Sequence, residues 1–594
     1  MTVIAERLAG VRRLMAEAGY DALIVPRADE YLGEYIPAHN ERLYWVSGFT
    51  GSAGAVVVLP ERAAIFVDGR YTVQVRNEVD KELFEYHHLI EEPHAGWLVK
   101  QLDSGARVAC DPRMHSLSWF QATRRTLEKG GLELVATTDN LIDRSWHDRP
   151  EPAISPALLL GEEFTGSSSA AKRQRIAADL AQQGADAALV FAADSVSWLL
   201  NVRGTDIPCL PILQSFALLE SSGEVTVFVE PGRVPEGFAA HVGEGVRTLP
   251  ETAAEEFLSG YGGKKVVADP DSANAWTQLT LAAGGAELVA APDPVLLPKA
   301  AKNAVEVAGA RSAHRRDAIA AVRFLAWLDA EVAAGRLHDE AALADRLGAF
   351  RDEGEQYHGP SFDTISAAGP NAAMCHYNHL NVPRPGAVSL GSVYLVDSGG
   401  QYSDGTTDIT RTVAIGEPPA EIRRMFTLVL KGHIALDQAR FPAGTTGSQL
   451  DVLARQFLWQ EGFDYDHGTG HGVGAFLSVH EAPQRIAKAH NPFALLPGMI
   501  VSNEPGYYRD EGFGIRCENL VVVREAETAG ETPMYEFEAL TLVPFDRRLL
   551  DLELLTAVER AWIDDYHALV AREIGPLLAS AEDRGWLEQA TRPL

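Results

Sequence analysis

Apolar positions recur at helical spacing from the start of the chain. Leu8, Val11, Leu14, Met15 and Ala18 predict one helix, which Gly19 ends. An apolar run, DALIV at 21–25, follows at once and predicts a buried strand. YWVSGFTGSAGAVVVL and AAIFVDGRY then read as short hairpin strands separated by glycines, as in an α/β domain. Near residue 170 the pattern restarts. RIAADLAQQGADAALVF at 175–191 parallels VRRLMAEAGYDALIVPR at 11–27: helix, glycine, Asp-Ala, strand. Both copies continue into an aromatic-rich helix and a glycine, LYWVSGFTG at 43–51 and VSWLLNVRGTD at 196–206. This predicts duplication of a whole domain rather than a short solenoid repeat. The bridge DRPEPAISPALLLGEEFTGSSSA, rich in Pro, Gly and Ser, reads as a linker.

The second copy ends near APDPVLLPKA at 291–300. A proline-free, Ala- and Leu-rich stretch then predicts a long helix from 302, followed by a second one in DEAALADRLGAFRDE. From 355 the chain is glycine-rich and strand-rich, and past 545 a tail including LLTAVERAWIDDYHALVAREIGPLL predicts an amphipathic helix. The expected domains are therefore 1–155, 156–300 and 301–594, the last with a C-terminal helical extension. A length of 594 residues agrees, since it exceeds what one hydrophobic core supports.

Composition narrows the partners. A formal net charge of −30 argues against nucleic acid or an anionic membrane surface as the main partner. No stretch reaches the roughly 18 apolar residues of a membrane span. The N-terminus lacks a basic region followed by an apolar run, and the expected location is the cytoplasm. Cys110, Cys209, Cys375 and Cys517 are far apart and form no CxxC pair, which disfavours disulfides and thiolate zinc sites. The sequence carries no GxxxxGK[ST] phosphate loop, GxSxG elbow or HExxH motif, and the GxGxxG-like echo in HGTGHGVG lies outside any Rossmann unit.

The candidate chemistry lies between Asp397 and Glu518. The apolar run VYLVD delivers Asp397 at its end, turn residues follow, and TTDITRTVAI reads as the return strand, so Asp408 can approach Asp397 across a hairpin. On that strand Asp408, Thr410 and Thr412 share one face, and Ile409 and Arg411 the other. Two carboxylates that close repel unless a proton or cation lies between them. HGTGHGVG places His467 and His471 among glycines that let backbone approach closely, and His480 follows in SVHEAP. Glu504 ends GMIVSNE. Glu518 sits among apolar residues in GIRCENLVVV, where it needs a metal or an ion pair, and Arg516, expected on the same strand face, is the candidate pair. Taken alone, each of these residues is as well explained as a turn carboxylate or a structural histidine. As a set, four carboxylates and neutral His471 carry −4, the charge that balances two divalent cations. Oxygen donors with one imidazole suit manganese, cobalt, iron or zinc. Two such ions can hold a bridging hydroxide and stabilise a tetrahedral oxyanion, which is the chemistry of amide hydrolysis.

The ordered set Asp397, Asp408, His471, Glu504, Glu518 resembles the ligands of the pita-bread metallopeptidases. GPNAAMCHY, VYLVDSGGQYSDGTTDITRT, HGTGHGVG, VHEAP, NEPGYY and GIRCEN resemble, within that group, the Xaa-Pro aminopeptidases of the long three-domain form. The resemblance covers essentially the whole chain. It implies a multidomain α/β and α+β protein, with two creatinase-like N-terminal domains before a pita-bread catalytic domain. It implies that Asp397 chelates one ion, that Asp408 and Glu518 bridge both, and that His471 and Glu504 complete the second, with Glu504 also handling protons. His376 would bond the substrate or the developing tetrahedral centre, and His480 would contact the substrate near the scissile carbonyl. His467 would help shape the site, and Arg516 would support Glu518. Manganese is the metal and a homodimer the assembly that the resemblance implies. Ala372, where glycine is more usual, and Cys375 before His376 are departures that remove no ligand.

The substrates so implied are peptides with proline in second position. An Xaa-Pro bond is a tertiary amide without an N–H, and it needs a dedicated site. Two other readings compete. Prolidase acts on dipeptides, but the duplicated N-terminal half favours the longer enzyme. A ligandless peptide-binding scaffold is disfavoured because all five ligand positions are filled.

Overall fold

A computed structural model describes residues 2–382 and 384–594. The chain divides into two compact units. One comprises 1–159, 167–208 and 212–296; the other comprises 160–166, 209–211 and 297–594.

The first unit contains the duplication. Its helix Val3–Ala18 is capped by the Thr2 hydroxyl and closed by Gly19 in the left-handed region, at φ 71°. The strand Ala22–Pro26 pairs antiparallel with Ala55–Val58 and parallel with Arg107–Cys110. In the second copy Ala187–Val190 pairs antiparallel with Ser215–Glu220 and parallel with Lys265–Ala268. Each copy forms a six-stranded sheet with the same order and the same mixture of parallel and antiparallel neighbours. The repeated Asp-Ala has a local cause. The Asp21 carboxylate accepts from the Arg107 backbone N–H, and Asp186 accepts from that of Lys265, both at 2.8 Å. Each aspartate thus starts the parallel pairing of its own sheet.

The second unit is built on a three-stranded antiparallel sheet, Ile365–Ala368, Ser392–Ser398 and Ile409–Ile415, and a six-stranded sheet that includes Gly470–Gly472, Ile500–Asn503 and Asn519–Ala526. The 30-residue helix Ala304–Ala333 begins in a capping box of Asn303 and Glu306. The stretch after 355, read from sequence as glycine- and strand-rich, also contains two long helices, Ala420–Asp437 and Gly447–Gln460. Their apolar faces join the strands in the core; Met425, Phe426, Val429 and Leu458 are all buried there. The tail helix forms over Ala557–Ile574, with its own capping box of Thr556 and Glu559. Ahead of the long helix, Lys299 and Lys302 both reach the buried carboxylate of Glu481. Lys299 Nζ lies 3.1 Å from Glu481 Oε2, Lys302 Nζ contacts Oε1, and all three side chains are at most 1% exposed.

Candidate metal centre

The hairpin forms in the expected register. In the Ser392–Ser398 and Ile409–Ile415 pair, Asp397 faces Thr410 and Ser398 faces Ile409. Asp408 lies just before the return strand, and the turn that brings it back is tight. A Cβ on Gly399 would fall 1.9 Å from the Thr407 carbonyl oxygen, so only glycine fits. The predicted alternation holds. Thr410 and Thr412 turn toward the candidate site, while Arg411 turns away.

His471 sits in the short strand Gly470–Gly472, where a Cβ on Gly470 would lie 2.0 Å from the Ser502 carbonyl oxygen. Its Nδ1 is 3.0 Å from the Gly472 carbonyl oxygen. That hydrogen bond puts the proton on Nδ1 and leaves the Nε2 lone pair facing the carboxylates. Nε2 stands 3.5 Å from Asp408 Oδ2 and 3.8 Å from Glu504 Oε1. Ligating atoms of Asp408, His471 and Glu518 all lie within 4.8 Å of one another. The Asp397 Oδ1 and Asp408 Oδ1 atoms are buried without a hydrogen-bond partner.

The electrostatics show what crowding costs. Burial pushes the Asp397 carboxyl up to about 6, with Arg516 opposing and Asp408 adding to the rise. Burial pushes Asp408 up to about 6 and Glu504 up to about 7. Glu518 is driven well above the usual carboxylate range, by burial first and then by the other three carboxylates. Buried acids that repel one another, with oxygens unpartnered, fit hard divalent cations.

Arg516 takes a different partner from the one its sequence position suggests. Its Nη2 donates to Asp397 Oδ2 at 2.6 Å. The sequence reading placed Arg516 and Glu518 on one strand face, but they lie on no common strand. Arg516 ends Phe513–Arg516, which among the described residues pairs only with Gly506–Arg509, whereas Asn519–Ala526 begins after Glu518 and enters the six-stranded sheet. Support for Glu518 is indirect. Arg516 Nε donates to the Thr410 hydroxyl at 3.0 Å, and that hydroxyl donates to Glu518 Oε2 at 2.7 Å. Arg516 is 2% exposed, beneath the carboxylates.

His467 is joined to the same group. Its Nδ1 is 2.7 Å from the Gly468 carbonyl oxygen, so Nε2 accepts from the Tyr508 hydroxyl at 2.8 Å. That hydroxyl in turn accepts from Arg516 Nη1 at 2.6 Å. A continuous hydrogen-bonded chain therefore runs from His467 through Tyr508 and Arg516 to Asp397. Tyr508 was passed over in the sequence, although it stands in NEPGYY, four residues after Glu504. The His480 ring meets that of His471 edge to face, with centroids 4.3 Å apart. His376 is half-buried in the turn after Gly369–Ala373. Burial raises the Tyr508 phenol well above its ordinary value, with Arg516 opposing and Cys375, next to His376, adding to the rise.

Arg411, on the far side of its strand, is fully enclosed. It donates to the Thr410 carbonyl at 2.9 Å, the Glu518 carbonyl at 2.5 Å, the Val543 carbonyl at 2.6 Å and the Tyr566 hydroxyl at 3.1 Å. Nothing in its sequence context marked it beyond its position in DITRT. The tail helix thereby supports the backbone of two candidate ligand-bearing segments.

Comparison with known proteins gives a consistent pattern. Residues 308–525 match the model of metallopeptidase family M24, and 533–594 match the C-terminal region of that peptidase family. Residues 7–144 and 148–306 each match a creatinase/prolidase N-terminal domain. The chain is 40% identical to a probable Xaa-Pro aminopeptidase P of Tuber melanosporum, over 99% of both chains. It is 39% identical to one of Botryotinia fuckeliana, over 99% of this chain and 93% of the relative. Among solved structures it is similar to the X-prolyl aminopeptidase of Caenorhabditis elegans, described as a cytosolic enzyme with a di-nuclear active site. The TM-score is 0.95 and the identity 34%, with 100% of each chain covered. No helix among the described residues is long and apolar enough to cross a membrane.

Proposed function

Since this chain belongs to metallopeptidase family M24, as an Xaa-Pro aminopeptidase with two creatinase-type domains before its catalytic domain, we propose that it releases the N-terminal residue of peptides with proline in second position, at a centre of two divalent ions. Asp397, Asp408, His471, Glu504 and Glu518 are the residues that would hold the ions: Asp397 on one, His471 and Glu504 on the other, and Asp408 and Glu518 shared by both. The observation that carries this reading is the convergence of four mutually repelling carboxylates, three buried and Glu504 partly so, on one imidazole whose Nε2 is left as an acceptor. When bound, the ions supply Lewis acidity toward the scissile carbonyl and activate a water as the nucleophile.

The chain's own residues divide the remaining work. Glu504 and His471 have side chains 18% and 19% exposed, against 5% for Asp408, so the open side of the centre is theirs. Glu504 is placed there to take a proton from the attacking water and return it to the leaving proline nitrogen. His480, packed on the open side against His471, contacts the substrate near the scissile carbonyl, and His376 steadies the developing tetrahedral centre. The chain from His467 to Asp397 fixes the orientation of one carboxylate and excludes water behind it. The oxygen-rich donors support manganese as the ion. The cytosolic description of the Caenorhabditis elegans relative supports a cytosolic location, and the resemblance to the long form supports a homodimer.

The test is a metal-dependent assay on an Xaa-Pro-Yaa tripeptide and an Xaa-Pro dipeptide, with Asp408→Ala as the control. Metal-dependent cleavage of the tripeptide, abolished in the variant, is expected. Cleavage confined to the dipeptide points to a prolidase, and full activity in the variant refutes the bridging role.

A further inference from the structure

Glu340 opens the helix Glu340–Asp352 and is fully buried, yet none of the four donors on its carboxylate is charged. Oε1 accepts from the Ala368 backbone N–H at 2.7 Å and from Asn371 Nδ2 at 2.9 Å. Oε2 accepts from the Tyr377 hydroxyl at 2.7 Å and from the Gly386 N–H at 2.6 Å. A carboxylate has about four acceptor positions, and all four are used. Three of these donors come from the stretch 368–377. One stands at its beginning, and Tyr377 comes directly after His376. After Ala368, the last residue of its strand, that stretch holds only a short 3-10 turn, Gly369–Ala373, so regular backbone pairing does little to fix it beyond that residue. Charge-assisted bonds are the stronger kind, and a buried charge satisfied by one segment ties that segment to a single arrangement.

The same stretch lies against the candidate centre. A Cβ on Gly514 would fall 1.8 Å from the Ala372 carbonyl oxygen, and Gly514 belongs to the strand that ends in Arg516. The segment carrying His376 is thus pressed on one side against the strand of Arg516 and held on another by one carboxylate. We infer that Glu340 is a positioning residue for His376, fixing the segment that presents this imidazole to the substrate. The inference rests on the reading of His376 as a substrate-contacting residue.

The experiment is a double-mutant cycle of Glu340→Gln and His376→Ala on the full-length, metal-loaded chain, with kcat, KM and bound metal measured for each protein. Glutamine keeps the size but turns an amide toward two of the donors. Glu340→Gln alone is expected to lower kcat roughly tenfold to a hundredfold, the scale of a misplacement of about 1 Å. Metal content should be unchanged, and in the His376→Ala background the added loss should be less than about twofold. An equal loss in both backgrounds, or loss of metal in parallel with activity, overturns the inference. Should Glu340→Gln fail to fold, Tyr377→Phe removes a single donor, and its smaller loss must likewise vanish in the His376→Ala background. Amide exchange provides a readout independent of activity. Glu340→Gln, or Tyr377→Phe in its place, should speed exchange over 368–378 relative to the rest of the catalytic unit, and unchanged exchange overturns the clamp. If the native chain cleaves no Xaa-Pro peptide while exchange responds as expected, the substrate reading falls and the clamp stands.

Discussion

Stripping metal from the centre should make the catalytic unit less stable as pH rises, and reloading should remove that dependence. Without metal, burial raises Asp397 and Asp408 from 3.8 to about 6, and Glu504 from 4.5 to about 7, while Glu518 lies well above 4.5. In the unfolded chain these carboxyls return to about 4. Between the two sets of values the folded protein holds protons that the unfolded chain has released, so raising the pH favours unfolding. The penalty is absent below about pH 4, and close to complete above about pH 7 for the two aspartates and above about pH 8 for Glu504. Raising one carboxyl from 3.8 to about 6 corresponds to about 3 kcal/mol. The four groups repel one another and titrate together, so their penalties do not simply add, and the single-group value sets the scale. For a unit of this size it corresponds to roughly 4–6 °C in the unfolding midpoint. The assay is calorimetry on chelator-treated and metal-reloaded protein between about pH 5.5 and 7.5. A stripped protein whose midpoint stays level or rises across that window refutes the reasoning. So does a reloaded protein that follows the same falling curve, since the carboxylates would then not be the ligands.

Three further outcomes are expected. Thr410→Val removes the hydroxyl between Arg516 and Glu518 and should weaken metal binding roughly tenfold to a hundredfold in chelator competition, with Thr410→Ser restoring it. Gly514→Ala should displace the segment around Ala372, costing roughly 1–3 kcal/mol and lowering turnover; unaltered kinetics would show that this close approach has no bearing on the site. Arg411→Lys keeps the charge but loses the planar fork, leaving buried carbonyls at Thr410, Glu518 and Val543 short of a donor. A loss of about 3 kcal/mol in denaturant unfolding is expected, and an unchanged midpoint would show that the clamp contributes little.

The parts of this architecture legible in the sequence are those that local chemistry writes locally. The duplication could be read because each copy needs a left-handed glycine after its helix and an aspartate to start its parallel pairing. The proposed ligands stood out because carboxylates among glycines and apolar strands need a reason to be there. The helices Ala420–Asp437 and Gly447–Gln460 were passed over because glycine motifs on either side dominated the reading. Contacts between distant segments left no local mark. Arg516 and Asp397 are 119 positions apart, so nothing in GIRCEN shows that the guanidinium leaves Glu518 to Thr410. Glu340 begins an ordinary helix, and only its four partners, up to 46 positions away, set it apart.

The two lysines around Glu481 have a consequence for how this chain can vary. Substituting Glu481 alone strands two ammonium groups in a dry interior, a loss that typically costs about 3–5 kcal/mol, whereas losing one lysine leaves the other paired, and replacing a buried charged group as a whole by apolar residues of matching volume is often neutral. Glu481 should therefore be lost only together with both Lys299 and Lys302. Because Glu481 follows His480 directly, a lineage that gave up the triad would have to find another way to hold that histidine. Random mutagenesis should recover single changes at either lysine more readily than at Glu481, and the stretch from Lys299 to Lys302 is a poor place to cut or splice the chain.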